Sequence, residues 1–343
     1  MRRVLLAIVL ACGCGARTDL ELEERAGRDA GFFQTFPCRW SLGERLELAR
    51  GGPFTELTGA VHPARNELAL LASAGDVRVG GRVSLEATPE LLAPLEGLPG
   101  RLFTGADGWL RQDGDACGLV AHDERFAERG SVAWSAIGPC ELTQSVAGRI
   151  ESLPLADRAV VTIAFPDVRS LTEIAEERSG GAVAYSPDEG VLLALETPAG
   201  IAIARADERL FLDGSSTVSV APDRLRGGTL VLHRRFDGRF EIGHVGSTGR
   251  LELVPRAELG DREPAGALVS NETEALVPLR DGSMLFVVLS HFEQRFTEPV
   301  EPGGVDAMEI VLRPGESAGG LLYSHRVASG ESALVFRSLV CNR

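Results

Sequence analysis

Two stretches of this sequence repeat one another without a gap. One runs from His62-Pro63 through Glu67, Leu68 and Leu71 to Gly75-Asp76-Val77-Arg78-Val79. The other runs from Ser186-Pro187 through Val191, Leu192 and Leu195 to Ala199-Gly200-Ile201-Ala202-Ile203. Pro63 falls on Pro187, Leu68 on Leu192, Leu71 on Leu195, and Val77 and Val79 on Ile201 and Ile203. Each copy reads as turn, apolar strand, turn, and a second strand with period-two alternation. A looser third copy starts at Ser270-Asn271-Glu272 and passes Leu276, Leu279 and Asp281-Gly282 to reach Leu285 and Val287. One such hairpin cannot bury its apolar faces alone, whereas a stack of them can.

The rest of the chain from Phe32 onward keeps the same grain. Short apolar runs such as Thr229-Leu230-Val231-Leu232, Met284-Leu285-Phe286-Val287-Val288-Leu289 and Ala333-Leu334-Val335-Phe336 are bounded by Gly, Pro, Asp or Asn. Runs of this length between turn residues predict strands, and many short strands predict a sandwich, barrel or propeller. Helix is expected only over 88–96, 172–178 and 253–260. With so few helices, alternating βα units are not expected.

The repeated unit resembles the core hairpin of WD-repeat-like propeller blades. Those blades show a Ser/His-Pro-Asp turn, an apolar strand, a Gly-Asp turn and an alternating strand, and Ala184-Tyr185-Ser186-Pro187-Asp188 is the nearest match. The Trp-Asp dipeptide that ends typical blades is absent. The resemblance implies an all-β fold, a β-propeller occupying 32–343. Blades of about 40–50 residues fit six or seven times between Cys38 and Cys341. Hairpins near 62–79, 101–122, 159–165, 186–203, 229–242, 270–289 and 321–340 would supply them. In such rings the first strand often completes the last blade. That places Cys38 beside Cys341, and a disulfide there would latch the ring. Cys117 and Cys140 would then pair within or beside the second blade, although four cysteines on their own allow three connectivities.

The N-terminus reads as an export signal. Arg2 and Arg3 precede the apolar run Val4 to Ala11, which is too short to cross about 30 Å of hydrocarbon as a helix. Val9-Leu10-Ala11-Cys12 resembles the lipobox of bacterial lipoproteins, which implies acylation of Cys12, with Cys14 as the alternative acceptor. Residues 1–14 are thus the signal and lipidation site. Residues 15–31, carrying Glu21, Glu23, Glu24 and Asp29, read as an acidic tether. Gly13 stands where an inner-membrane retention Asp would stand, so the resemblance implies the outer membrane, facing the periplasm or the exterior.

Composition removes several functions. The formal net charge is -14, a poor match for polyanionic DNA, so nucleic acid is not an expected partner. It also gives no electrostatic hold on anionic lipid, so attachment to the membrane rests on the lipid anchor. The chain contains no lysine, which rules out Schiff-base chemistry, Ser-Lys dyads and a P-loop Lys. No HExxH occurs. No cofactor is implied.

Candidate sites are few. Asp107, Asp113 and Asp115 lie on Gly-rich turns and offer oxygens to a calcium ion, but without EF-hand spacing. His233 and His244 flank one expected hairpin and would be cross-strand neighbours. Trp109, on a polar turn, is the best candidate among the scarce aromatics for stacking on a ligand. No catalytic set and no metal site is nominated. The expectation is a lipid-anchored cell-envelope module that binds or scaffolds a protein or glycan. The alternative is an envelope polysaccharide or peptide hydrolase or lyase on the same scaffold.

Overall fold

The structure is a computed structural model. It describes residues 39–342 apart from 96, 113–116, 135–139, 147–148, 155–158, 174–179, 187–189, 207, 214–215, 247–250, 314–317 and 329. Described residues form strands and no helix. The expected signal over 1–14, the expected tether over 15–31 and Cys38 lie outside them.

The chain enters through β1 (Arg39–Leu42) and β2 (Leu46–Gly51). Blade 1 follows as β3 (Glu56–Val61), β4 (Glu67–Ala74), β5 (Val77–Ser84) and β6 (Leu91–Pro94). Blade 2 is β7 (Leu102–Thr104), β8 (Trp109–Gln112), β9 (Gly118–His122) and β10 (Glu128–Ala133). Blade 3 is β11 (Cys140–Val146), β12 (Arg149–Pro154), β13 (Ala159–Ala164) and β14 (Asp167–Glu173). Blade 4 is β15 (Gly180–Ser186), β16 (Gly190–Thr197), β17 (Gly200–Arg205) and β18 (Glu208–Asp213). Blade 5 is β19 (Ser216–Pro222), β20 (Thr229–Arg234), β21 (Phe240–Val245) and β22 (Leu253–Gly260). Blade 6 is β23 (Val269–Ser270), β24 (Glu274–Pro278), β25 (Met284–Val288) and β26 (Glu293–Phe296). Blade 7 takes β27 (Ala307–Leu312), β28 (Ala318–Arg326) and β29 (Ser332–Asn342), and completes itself with β1 and β2. The sheets of blades 1 to 6 are antiparallel meanders in sequence order, and in the seventh both β1 and β2 pair with β29. The seven expected hairpins fall one in each blade.

The fold is therefore a seven-bladed β-propeller. The ring closes by register: Trp40 pairs with Cys341 and Leu42 with Leu339, while Leu46 pairs with Phe336 and Gly51 with Ser332. Pairing the two ends of the chain in one sheet leaves no open blade edge at the seam.

Seven separate cores hold the ring, one between each pair of blades. Leu68 and Leu70 face blade 7 and join Phe54, Leu322, Leu334 and Phe336. Ala69 and Leu71, one residue along, face blade 2 and join Leu102, Trp109 and Phe126. The same split runs through β25, where Leu285 and Val287 enter the core toward blade 5 and Met284 and Phe286 the core toward blade 7. Strands buried on both faces need apolar residues at every position, which is why these runs are continuous and not alternating. Outer strands show the opposite pattern. All four residues of β26, Glu293 to Phe296, are exposed, and charges there keep the edge from pairing with another chain.

Two expectations are corrected. The stretches 88–96 and 253–260 are not helical, since they contain β6 and β22 and carry the outer strands of blades 1 and 5. Of 172–178, the first two residues end β14 and the rest lie outside the described residues. Outer strands alternate less regularly because one face is wet, so their apolar residues fall at spacings that imitate a helical face. The ungapped repeat is also one residue out of register. Leu68 faces the preceding blade, whereas its partner Leu192 faces the following one, and Leu193 and Leu195 face the preceding blade instead. A one-residue slip moves every side chain to the opposite face.

Candidate functional site

The innermost strand of each blade has one sheet neighbour only, so its other backbone edge faces the axis. Polar side chains stitch these strands to one another. The Leu102 N–H donates to Thr58 Oγ1 at 2.9 Å, and Thr104 Oγ1 donates to the Val61 carbonyl at 3.0 Å. Gln144 accepts from the Thr104 N–H at 2.7 Å and donates back to its carbonyl at 2.6 Å. Across the ring the Leu268 N–H donates to Ser219 Oγ at 2.8 Å, and Ser270 Oγ donates to the Pro222 carbonyl at 2.6 Å. The links from Thr58 to Leu102 and from Val61 to Thr104, and those from Ser219 to Leu268 and from Pro222 to Ser270, advance in the same direction along both strands, so these inner strands run parallel.

They enclose a channel of about 450 Å³ to which all seven blades contribute. A groove of about 440 Å³ opens beside it between blades 1 and 2, and Arg101 and Glu141 belong to both. Arg101 Nη1 donates to Glu141 Oε2 at 3.1 Å. Both side chains are exposed, so this pair is worth at most about 1 kcal/mol. Arg224 also lines the channel, and so does Glu309, on β27. Among the described residues Glu309 has no hydrogen bond and no ion pair. Burial in the channel wall pushes its carboxyl up to about 7, and the positive charge of Arg101 offsets only part of this. Two carboxylates and two arginines thus line the channel, and no histidine is among the channel-lining residues.

Trp109 is not on a surface turn. It opens β8, is 1% exposed, donates from Nε1 to the Ala60 carbonyl at 3.0 Å, and meets His62 edge-on with ring centroids 4.9 Å apart. It is the keystone of the core between blades 1 and 2 and has no face left for a ligand. His62 and His122 flank it, and His122 stacks on Phe126 at 4.2 Å. Aromatics that do stand in solvent include Phe236, 83% exposed in the turn between β20 and β21, with Phe211 on β18 and Phe296 on β26.

His233 and His244 share one hairpin but are not neighbours. His233 pairs in register with Glu241 and contacts its carboxylate at 3.2 Å, while His244 pairs with Leu230 and approaches Asp223 at 3.4 Å. Among the described residues no three His, Cys, Asp or Glu side chains group as metal ligands. Asp107 is exposed, and Asp113 and Asp115 lie outside the described residues. Cys117 and Cys140 form a disulfide, Cα atoms 5.3 Å apart, that ties blade 2 to the inner strand of blade 3. Asn271 is buried, its Oδ1 accepting the Thr273 and Glu274 N–H groups in the turn before β24.

Sequence reading missed Glu309. Its signal was a single acid inside the apolar run Met308-Glu309-Ile310-Val311-Leu312. An acid in a run that must be buried on both sides is costly unless it faces a cavity.

No protein-family model matches this chain, and no curated protein is similar to it in sequence. Among solved structures it is similar to the β-propeller domain of Cps50 (Swd1) from Myceliophteria thermophila. The TM-score is 0.55 at 12% identity, over 86% of this chain and 99% of that one. At this identity the likeness concerns the fold alone.

Proposed function

We propose that this chain is an exported, lipid-anchored binding or scaffolding module of the cell envelope. In this reading Cys12, or Cys14 in its place, carries the lipid, residues 15–31 are the tether, and the propeller presents its faces and channel to a partner. The observation that carries the binding role is where the ring keeps its chemistry. Most large apolar side chains are consumed by the seven inter-blade cores, while Arg101, Glu141, Arg224 and Glu309 line one cavity. A propeller offers a broad face around such a channel, which suits a protein or glycan partner. The Arg2-Arg3 start, the short apolar run and Val9-Leu10-Ala11-Cys12 support the anchor, and Gly13 after Cys12 supports the outer membrane.

Two experiments test this. Palmitate labelling of the wild type and of Cys12→Ala, Cys14→Ala and double variants reports the anchor. Label lost with Cys12, or with Cys14, supports it, and label that survives the double change removes it. In-cell cross-linking and pull-down of the full chain, beside a tether-only control, reports the partner. A reproducible envelope protein supports scaffolding.

A second reading, an envelope hydrolase or lyase, draws on Glu309. A carboxyl that titrates near 7 is suited to act as a general acid, and Glu141 supplies a second carboxylate in the same channel. Turnover of a glycan or peptide panel that disappears in Glu309→Gln would favour it over the binding role.

A further inference from the structure

We propose that two copies of this chain associate through the outer strand of blade 4, with β18 pairing antiparallel to its own copy about a two-fold axis at Phe211. An outer strand leaves a row of backbone N–H and C=O groups without a sheet partner. Such an edge accepts another strand unless a bulge, a proline or charge prevents it. The other blades each carry such a device. The register to the outer strand is broken in blades 1, 2, 3, 5 and 7. Pro94 also stands in β6 and Pro255 in β22. In blade 6, β26 keeps its register but is short and carries Glu293 and Arg295. Among the described residues, blade 4 has none of these. There β18 matches β17 without a break, from Glu208 opposite Arg205 to Asp213 opposite Gly200, and its centre is Leu210-Phe211-Leu212.

Phe211 is 58% exposed. Ala202 lies opposite it on β17, with Gly200 and Ala204 on the diagonals, and none of these is long enough to cover an aromatic ring. Leu210 and Leu212 pack against the core between blades 4 and 5. The uncovered ring and the unpaired backbone therefore belong to one strand.

The order of residues in β18 suits a second copy of itself. Pairing about Phe211 sets Arg209 of each copy opposite Asp213 of the other, Leu210 opposite Leu212, and Phe211 opposite Phe211. Opposite charges and aromatic pairs directly across an antiparallel ladder stabilise it. A slip of one residue in one direction sets Glu208 opposite Asp213, like charge against like. A slip in the other direction sets Asp213 opposite Leu210. Charge thus fixes the register. A two-fold contact uses each edge once, so it closes at the dimer. The shared edge runs only from Arg209 to Asp213 and falls short of the roughly 1,200 Å² of a stable interface, so the dimer is weak and reversible.

This inference goes beyond the binding-module reading and draws nothing from the anchor. The full chain is sedimented at about 1–200 µM in a nonionic detergent, which keeps any N-terminal lipid from driving association. The expected result is a monomer–dimer equilibrium with no larger species. Arg209→Asp should weaken the dimer about ten-fold, and so should Asp213→Arg. Combining the two exchanges the charges and should restore the affinity to within about three-fold. Phe211→Ala should weaken the dimer, whereas Phe236→Ala, on the exposed turn of blade 5, should not. Thermal unfolding of each variant checks that it folds. A monomer at every concentration, which would leave the edge to an extended segment of another protein, overturns the proposal. So does a dimer that Arg209→Asp leaves unchanged, a combined variant that stays monomeric, or a species that grows beyond two copies.

Discussion

Leu285 and Phe286 are adjacent in the chain and lie in different hydrophobic cores, Leu285 between blades 5 and 6 and Phe286 between blades 6 and 7. Every middle strand of the ring divides its side chains in this way. Stability is therefore distributed over seven interfaces, and a lesion in one reaches the two blades that share it.

Truncation at β25 should show this. Leu285→Ala is expected to cost about 2–5 kcal/mol and Phe286→Ala about 3–5 kcal/mol, from lost burial plus the cavity left behind. Gln294→Ala, on the exposed outer strand of the same blade, loses only its amide's hydrogen bonds to the Glu258 backbone and should cost less, about 1 kcal/mol. Urea unfolding of the three variants measures this. Equal costs at positions 285 and 294 would contradict the assignment of faces.

The closing blade carries a polar knot across its seam. Arg45, between β1 and β2, contacts Glu301 at 3.2 Å and His325 Nε2 at 2.7 Å, and the Tyr323 hydroxyl donates to Glu301 at 2.9 Å. Burial and the Glu301 carboxylate together push the Tyr323 hydroxyl well above its ordinary range, so it stays a donor at all working pH. Tyr323→Phe should lose about 0.5–1.5 kcal/mol, and amide exchange should rise first in β1 and β2. Exchange that rises evenly around the ring would argue against a local latch.

Stability should fall in mild acid. Burial holds the imidazoles of His62, His122 and His233 below their usual range. The unfolded chain takes up protons near pH 6.5 while the folded one resists. The contribution is complete above that pH and is lost progressively below it. Two of the three sit beside Trp109, so tryptophan fluorescence on acid titration should report the core between blades 1 and 2. His122→Gln should flatten the slope, and an unchanged slope would point to other groups.

Glu309 works in the opposite direction. Its folded carboxyl is raised to about 7 from 4.5, so its protonated form is favoured by folding and stability falls as pH rises between these values. Glu309→Gln should be more stable than wild type at pH 8, by up to about 3 kcal/mol, and no more stable at pH 4. Thermal unfolding at the two pH values decides it.

Disulfide mapping without reduction should recover Cys117 joined to Cys140, and reduction of that bond should cost about 2–4 kcal/mol. The latch expected between Cys38 and Cys341 is a separate outcome of the same digest. Its support is that β1 begins at Arg39 and pairs with Asn342 at the end of the last strand. Cys38 recovered with Cys117 or Cys140 would remove it.

Much of the ring was legible before any coordinates. The two repeated stretches fall in blades 1 and 4, the seven expected hairpins fall one to a blade, and the first strand closes the last blade. These features rest on local chemistry: turn residues, strand length and the need of each hairpin to stack. Three things were not legible. Leu68 and Leu192 match in type yet face opposite ways, because a strand that is apolar on every residue carries no mark of which face is which. Trp109 reads as a surface residue from its polar neighbours Asp107 and Gly108, but packing against His62 and Phe126 from other parts of the chain buries it. Glu309 reads as a blemish in a strand until closure of the ring places it against a cavity that no single blade possesses. Sequence alone determined the repeating unit and its number to within one, since those depend on contacts between near neighbours. Only the tertiary structure decided which side chains are core and which face the channel, since that depends on the closure of seven blades around one axis.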